Sequence, residues 1–480
     1  MSSPVSYNIA RSTLWSAVDK FGTVILQFVI NLVLARMLTP NDFGLVGMIM
    51  IVVAVSSILA DGGFGAALIQ KSDADEADFS TTFYINIMVA ILLYGLIYLS
   101  SPYIAIFLGN PIFEQLIRVL SVVIVINSFG VTPKAKLRRD MAFKLIAIAN
   151  IIAYVIAAAT AITMAAAGYG LWGLIAIHIV NSLLSNLLLS IFAKWRPSLT
   201  FSMRSLKRLF GYGQYILISE ILSNLCFHIQ STLVGKYFAP SVAGQYSQAK
   251  KMEEVACITL PSAMNQVLFP VYSKLQNDME SLREKLRINT KTIAFIIFPL
   301  LTLLMIIAEP LINLLFGEKW LDAVPYFQVL CIGGYFCALQ YLNYYAIAAT
   351  GRSKILFYAG IFKSLFLILS VLLAVHVSMG AVLTAMVLSN IVNYLTNASL
   401  AAHYLGYKLS RQIGDVLGIL IKSLIVGLIV VFTMLICHVN WLIVAIIYGF
   451  LYLLINVVTR DEIATILMAK LRGGRNLDNK

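Results

Sequence analysis

The stretch 34-LARMLTPNDFGLVG-47 lies between two long apolar runs and carries Arg36, Pro40, Asp42 and Gly44. At an interval of 200 residues the chain reads 234-VGKYFAPSVAGQYS-247, with Lys236, Pro240 and Gly244 in register. Each stretch reads as a corner between two helices: a cation ends one helix, a proline marks the turn, and a glycine starts the return. The register extends outward, pairing Trp15 with Tyr215, Lys20 with Glu220 and Asn31 with Ser231. A second echo sets 104-IAIFLGNPIFEQLIRVL-120 against 311-LINLLFGEKWLDAVPYFQVL-330, with Gly109 opposite Gly317 and the offset drifted by several residues. Two echoes in the same order read as an internal duplication.

The apolar runs around these corners set the fold class. Of 480 residues, 60% are hydrophobic and 12% charged, whereas soluble domains carry roughly 25% charge. A bilayer-crossing helix needs about 20 mostly apolar residues, and backbone groups in lipid must be satisfied within the segment. Runs of this kind fall at 13–36, 43–68, 81–101, 114–132, 144–166, 170–193, 209–235, 243–272, 291–315, 324–349, 355–376, 380–403, 416–437 and 441–459. The run at 243–272 is interrupted by "QAKKMEEVA". The expected fold is an all-α polytopic membrane protein with about 14 transmembrane helices. Two pseudo-symmetric six-helix lobes occupy residues 1–200 and 201–403, and residues 404–480 add two spans and a tail. Six spans per repeat is an even number, so the repeats are parallel, the usual scaffold of alternating access with a site at their interface.

The net charge of +13 is an orientation signal rather than a nucleic-acid footprint. Loops after even-numbered spans are basic: Lys134, Lys136, Arg138 and Arg139; Lys194, Arg196, Arg204, Lys207 and Arg208; Lys274, Arg283, Lys285 and Arg287; Arg352 with Lys354; Lys408 with Arg411. Loops after odd-numbered spans hold Arg36, Lys236, Lys319 or no basic residue. That alternation places both termini in the cytoplasm. The loop at 69–80, with Lys71 among Asp73, Asp75, Glu76 and Asp78, does not reverse it, because acidic residues count little in this rule. The first apolar stretch contains Asp19 and Lys20 and lacks a small-residue cleavage site, so it is not read as a cleavable signal. The tail, with Ile463, Ile466, Leu467 and Lys470 at helical spacing, reads either as a short interfacial helix or as a frayed end.

Ionisable residues within spans are costly and are candidates for a transport path. Lys20 and Asn31 share one face of span 1, and Glu220 and Asn224 share one face of span 7. These polar faces are expected to line a cavity between the halves; for Lys20 the alternative is a side chain that snorkels to the interface. Asp61, before "GGFG", is either an ion-coupling group beside Glu220 in role or a polar helix end followed by turn glycines. Lys250 and Lys251 stand beside Glu253 and Glu254 in "KKMEE", a stretch expected to face water. Lys363 lies deep in span 11 and is the strongest cavity-cation candidate, while Arg118 reads as a rim residue. Cavity cations suit a phosphate or diphosphate, and Glu220 and Asp61 suit coupling to H⁺ or Na⁺.

Other chemistry is thin. Cys226, Cys257, Cys331, Cys337 and Cys437 form no CxxC and read as small core residues. The histidines 178, 228, 376, 403 and 438 show no metal-ligand spacing, and there is no GxxxxGK[ST], HExxH or GxSxG. No catalytic residue, metal or cofactor is assigned.

The first hairpin, LARMLTPNDFGLVGMIMIVVAVSSILADGGFGAALIQK, resembles that of bacterial polysaccharide flippases of the Wzx/polysaccharide transporter family. LRRDMAFK (137–144), NQVLFPVYSKLQ (265–276) and LLFGEKW (314–320) resemble later landmarks of its exopolysaccharide/colanic-acid branch. The resemblance covers residues 10–400 and implies the multidrug/oligosaccharidyl-lipid/polysaccharide exporter (MOP) superfamily. It further implies a non-enzymatic flippase of the bacterial inner membrane. Such a protein would move undecaprenyl-diphosphate-linked oligosaccharide to the periplasmic leaflet by ion-coupled antiport, with the polysaccharide polymerase machinery as a partner. The alternatives are a multidrug exporter of the same superfamily, favouring an acidic, aromatic cavity, and a membrane-embedded polymerase or glycosyltransferase, needing larger loops.

Overall fold

A computed structural model describes residues 4–71, 73–437 and 440–466, with side chains described except at 4–14, 16–17, 212, 215–216, 260, 262–263, 265–267 and 437. Tyr215, the start of the NQVLFPVYSKLQ landmark, Cys437, His438 and the tail residues Leu467 and Lys470 lie outside this description. The chain divides into two compact units, Met1–Ser247 and Gln248–Lys480.

The first unit holds α1 (Pro4–Met37), α2 (Pro40–Asp61), α3 (Phe64–Gln70), α4 (Glu76–Leu108), α5 (Ile112–Leu120), α6 (Val122–Arg139), α7 (Phe143–Ala166), α8 (Leu171–Ala193), α9 (Met203–Tyr237) and the first turns of α10 (Pro240–Glu254). The second continues from α10 through a π-helical turn (Val255–Thr259) into α11 (Leu260–Lys274), α12 (Met279–Ile306), α13 (Ala308–Phe316) and a 3₁₀ turn (Glu318–Trp320). It ends with α14 (Ala323–Ala349), α15 (Ser353–Ala374), α16 (Met379–Leu405), α17 (Leu409–Cys437) and α18 (Trp441–Val458).

Among the described residues the fold is all-helical, as the apolar runs predict, and 12 stretches of helix there are long and apolar enough to cross a membrane. The expected spans at 209–235 and 243–272 are helical too, in α9 and in α10 to α11. They are not among the twelve, and both runs include residues outside the described side chains. Loops are shorter than their charge suggests. Lys134, Lys136, Arg138 and Arg139 belong to α6 rather than to a loop at 133–143, and cations in a last turn suit the negative end of the helix dipole.

The first corner is locally determined. Thr39 caps α2 and Asp42 reaches back, its Oδ2 accepting from the Thr39 amide at 2.9 Å while Thr39 Oγ1 accepts from the Asp42 amide at 3.3 Å. Such a reciprocal cap stabilises a helix start by about 1 kcal/mol, and Pro40 fits the first turn because no partner awaits its missing N–H. The same device, Asp75 with Asp78, starts α4.

The glycines of the two echoed corners meet each other. A Cβ on Gly44 would stand 1.6 Å from the Pro240 carbonyl oxygen, and one on Gly244 would stand 1.9 Å from that of Pro40. The reciprocity is that of two equivalent surfaces related by an approximate twofold axis. Nearby, Thr232 Oγ1 donates to the Met48 carbonyl at 2.8 Å, and Ser231 and Ser247 hydroxyls are 3.1 Å apart. The second echo is also structural: Gly109 and Gly317 each follow the end of a helix at positive φ, 79° and 94°. Packing thus extends the first unit to Ser247, beyond the repeat boundary expected near residue 200, because α9 and the start of α10 pack on α2.

Candidate functional site

In the first unit the candidates converge where α2 ends. Gly62 and Gly63 follow Asp61 with φ of 60° and 74°, turning the chain into α3. A Cβ on Gly63 would lie 2.3 Å from the Gly213 carbonyl oxygen, so the elbow presses directly on the backbone of α9. Two turns further along α9 is Glu220, and the Asp61 carboxylate lies within electrostatic reach of it and of Lys134 on α6. Asp61 Oδ1 accepts from the Gly65 amide at 3.3 Å. Lys134 in turn senses Asp19 on α1 as well as Asp61 and Arg138. Asp19 Oδ1 accepts from Asn150 Nδ2 at 2.9 Å, and Asn150 Oδ1 accepts from the Ser185 hydroxyl at 2.8 Å, tying α1 through α7 to α8.

The structure therefore brings together Asp61 and Glu220, and adds Lys134 and Asp19. Glu220 and Lys20 are exposed, and Asp61, Lys134, Asn31 and Asn224 are half-buried. Asn224 donates to the Glu220 carbonyl at 3.0 Å, one turn back in its own helix. Lys134 escaped notice because it was counted among loop cations, and Asp19 because it was used only to argue against a cleavable signal. The signal that could have found both is depth: each is an ionisable residue within a long helix.

In the second unit Lys363 on α15 is half-buried. Its Nζ donates to Asn397 Oδ1 of α16 at 3.1 Å and lies 5.9 Å from the ring centre of Tyr344 on α14. Asn397 is buried, and its amide donates to the Gln340 carbonyl at 3.2 Å. An amide oxygen and an aromatic face are both contacts that suit a lysine ammonium. Arg118, expected as a rim residue, pairs with Glu114 at 2.7 Å and donates to Ser101 at 2.8 Å.

The KKMEE stretch divides. Lys251 is exposed and Lys250 and Glu254 are half-buried, 3.9 Å apart. Glu253 is only 5% exposed, so the expectation that the whole stretch faces water fails at this residue. Cys226, Cys257, Cys331 and Cys337 are buried, as expected of core residues. The start of α9 adds an open groove of about 530 Å³ lined by Met203, Arg204, Lys207 and Arg208. Arg208 also reaches the buried Asp78 at 3.4 Å, and Asp78 pairs with Lys71.

Comparison with known proteins gives these features a context. The teichuronic acid biosynthesis protein TuaB of Bacillus subtilis (strain 168) is 29% identical over 359 residues, 74% of each chain. The lipopolysaccharide biosynthesis protein WzxC of Escherichia coli (strain K12) is 27% identical over 358 residues, 74% of this chain and 72% of that one. The fold matches the lipid II flippase MurJ in an inward closed conformation, with a TM-score of 0.77 at 17% identity over 93% of this chain and 99% of that chain. These likenesses bear out the resemblance to polysaccharide flippases seen in the first hairpin. A family model described as polysaccharide biosynthesis protein matches residues 33–325, more than half of the chain, and the protein belongs to that family.

Proposed function

We propose that this protein is a flippase that moves undecaprenyl-diphosphate-linked oligosaccharide units from the cytoplasmic to the periplasmic leaflet of a bacterial inner membrane, driven by a coupled cation. The observation that carries the reading is family membership together with a MurJ-like fold over nearly the whole chain. The geometry gives it physical content. Lys363, which Asn397 holds through one of its three donors, is the cation for the diphosphate, with Lys20, Lys250 and Lys251 as further anion contacts and Asn31 and Asn224 as polar lining. Asp61 and Glu220 repel one another, and a proton or sodium ion arriving between them relieves that repulsion, which makes this pair the coupling candidate. The basic groove at Arg204, Lys207 and Arg208 suits first contact with an anionic headgroup.

In the proposed orientation both termini are cytoplasmic, residues 1–200 and 201–403 are the two lobes, and the polysaccharide polymerase receives the product. Deleting the gene and analysing membrane lipids tests the function. Lipid-linked oligosaccharide should build up on the cytoplasmic leaflet. Unchanged lipid intermediates with raised drug sensitivity would instead support the multidrug-exporter reading. Cysteines introduced at Lys136 and Lys319 test the orientation: an impermeant thiol reagent applied from outside should label only the second.

A further inference from the structure

Glu253 is the penultimate residue of α10, whose end at Glu254 leads directly into the π-helical turn at Val255–Thr259. A π-turn inserts one extra residue into a helix and is found disproportionately at functional sites. Here it brings Cys257 back onto Glu253: the thiol donates to Glu253 Oε1 at 2.7 Å. From α14, Cys337 completes the group, and the carboxylate oxygen and the two sulfurs all lie within 4.8 Å of one another. All three residues are buried, at 5%, 0% and 6% exposure. Gly334 makes room for the carboxylate, since a Cβ there would stand 3.2 Å from Glu253 Oε1. Gln340 Nε2 stands 3.8 Å from the Cys337 sulfur, in place to support a thiolate from the outer shell.

We propose that Glu253, Cys257 and Cys337 form a binding site for a thiophilic divalent cation of the zinc and cadmium class. The donor set decides the class. Two sulfurs with one carboxylate oxygen match zinc and softer ions, whereas magnesium and calcium require oxygen throughout. Ligand atoms around a tetrahedral zinc sit about 3.5 Å apart, so rotation of the three side chains, without movement of helices, closes the cluster on an ion. Binding releases the two thiol protons, and the divalent charge offsets two of the three negative charges that the carboxylate and the two thiolates then carry. A bound ion would staple the π-turn to α14 within the second unit. None of this depends on which substrate the protein moves.

The test uses the full chain purified in detergent with a non-chelating reductant. Cadmium titration should produce a thiolate-to-metal ultraviolet absorption band that saturates at one ion per chain, and zinc should abolish it while magnesium leaves it unchanged. Cys257→Ser and Cys337→Ser should each weaken binding tenfold or more. Glu253→Gln should weaken binding while retaining the band, and Cys226→Ser should change nothing. Protein from cells grown with added zinc is assayed for metal in parallel, so that slow entry into the folded chain is not mistaken for absence of a site. No band together with no co-purified zinc would overturn the proposal. So would a band that persists when both Cys257 and Cys337 are serine.

Discussion

Two charged regions of this molecule use the same residue types in opposite ways. In the second unit Arg287 of α12 donates to Asp415 at 3.2 Å and to Glu462 at 2.9 Å, Lys291 reaches Glu462 at 2.5 Å, and Lys422 reaches Asp461 at 2.9 Å. Tyr407 adds a hydrogen bond to Asp415 at 2.8 Å. These contacts bind α17 and the segment after α18 to α12. In the first unit Asp61, Glu220, Lys134 and Asp19 lie near one another, and Asp61 faces a like charge as well as a cation. A network closed by direct ion pairs holds structure together, whereas a cluster that leaves like charges opposed is the proposed coupling site.

Substitutions can separate these two roles. The upper bound comes from packing alone: Gly44→Val drives a side chain into the Pro240 backbone and should cost about 3 kcal/mol or more, read as a collapse of the melting temperature and of folded yield. Next is Arg287→Ala, which leaves Asp415 with Tyr407 and Glu462 with Lys291. Losing hydrogen bonds to charged groups should lower stability by about 2 kcal/mol, while the folded fraction still clears lipid-linked oligosaccharide. Asp61→Asn and Glu220→Gln should do the reverse, leaving the melting temperature nearly unchanged and slowing transport on the order of tenfold, equivalent to about 1.4 kcal/mol. Loss of stability without loss of transport in these two variants would erase the distinction between the regions.

The smallest effect is a pH dependence. The hydrogen bond from Lys291, with the charges of Lys291 and Arg287, holds the Glu462 carboxyl below the ordinary glutamate range. A carboxyl with a lowered folded-state pKa contributes stability above its unfolded value, and that contribution disappears as pH falls through the folded one. Acid titration of thermal stability should therefore show a small decline below the usual glutamate range that Glu462→Gln lacks.

Much of this fold is legible in the residue order. The interval between Gly44 and Gly244 identified equivalent corners, and run lengths located the helices, because both are properties of local sequence. One boundary error has a clear cause: α6 runs past its apolar stretch because Lys136, Arg138 and Arg139 continue the helix in its last turn. The site was only half legible. Depth in its span marked Lys363, the following GGFG marked Asp61 and helical phase marked Glu220, but no periodicity reveals that Gly63 lets α2 touch the backbone of α9, which is what brings Asp61 beside Glu220. Glu253 was misread for a related reason. Its charged neighbours suggested water, and only the π-turn shows that its side chain turns inward to Cys257.

The meeting of Gly44 with Gly244 is a joint made of main chain. Its faces present two glycines and the carbonyls of Pro40 and Pro240 in direct van der Waals contact. Glycines and backbone carbonyls carry no ionisable group, so this contact rests on close packing, with the Thr232–Met48 hydrogen bond beside it. Its tightness should therefore be nearly independent of pH and salt. A contact of that kind answers to volume rather than to charge, so an added methyl group should disturb it more than a charge placed nearby.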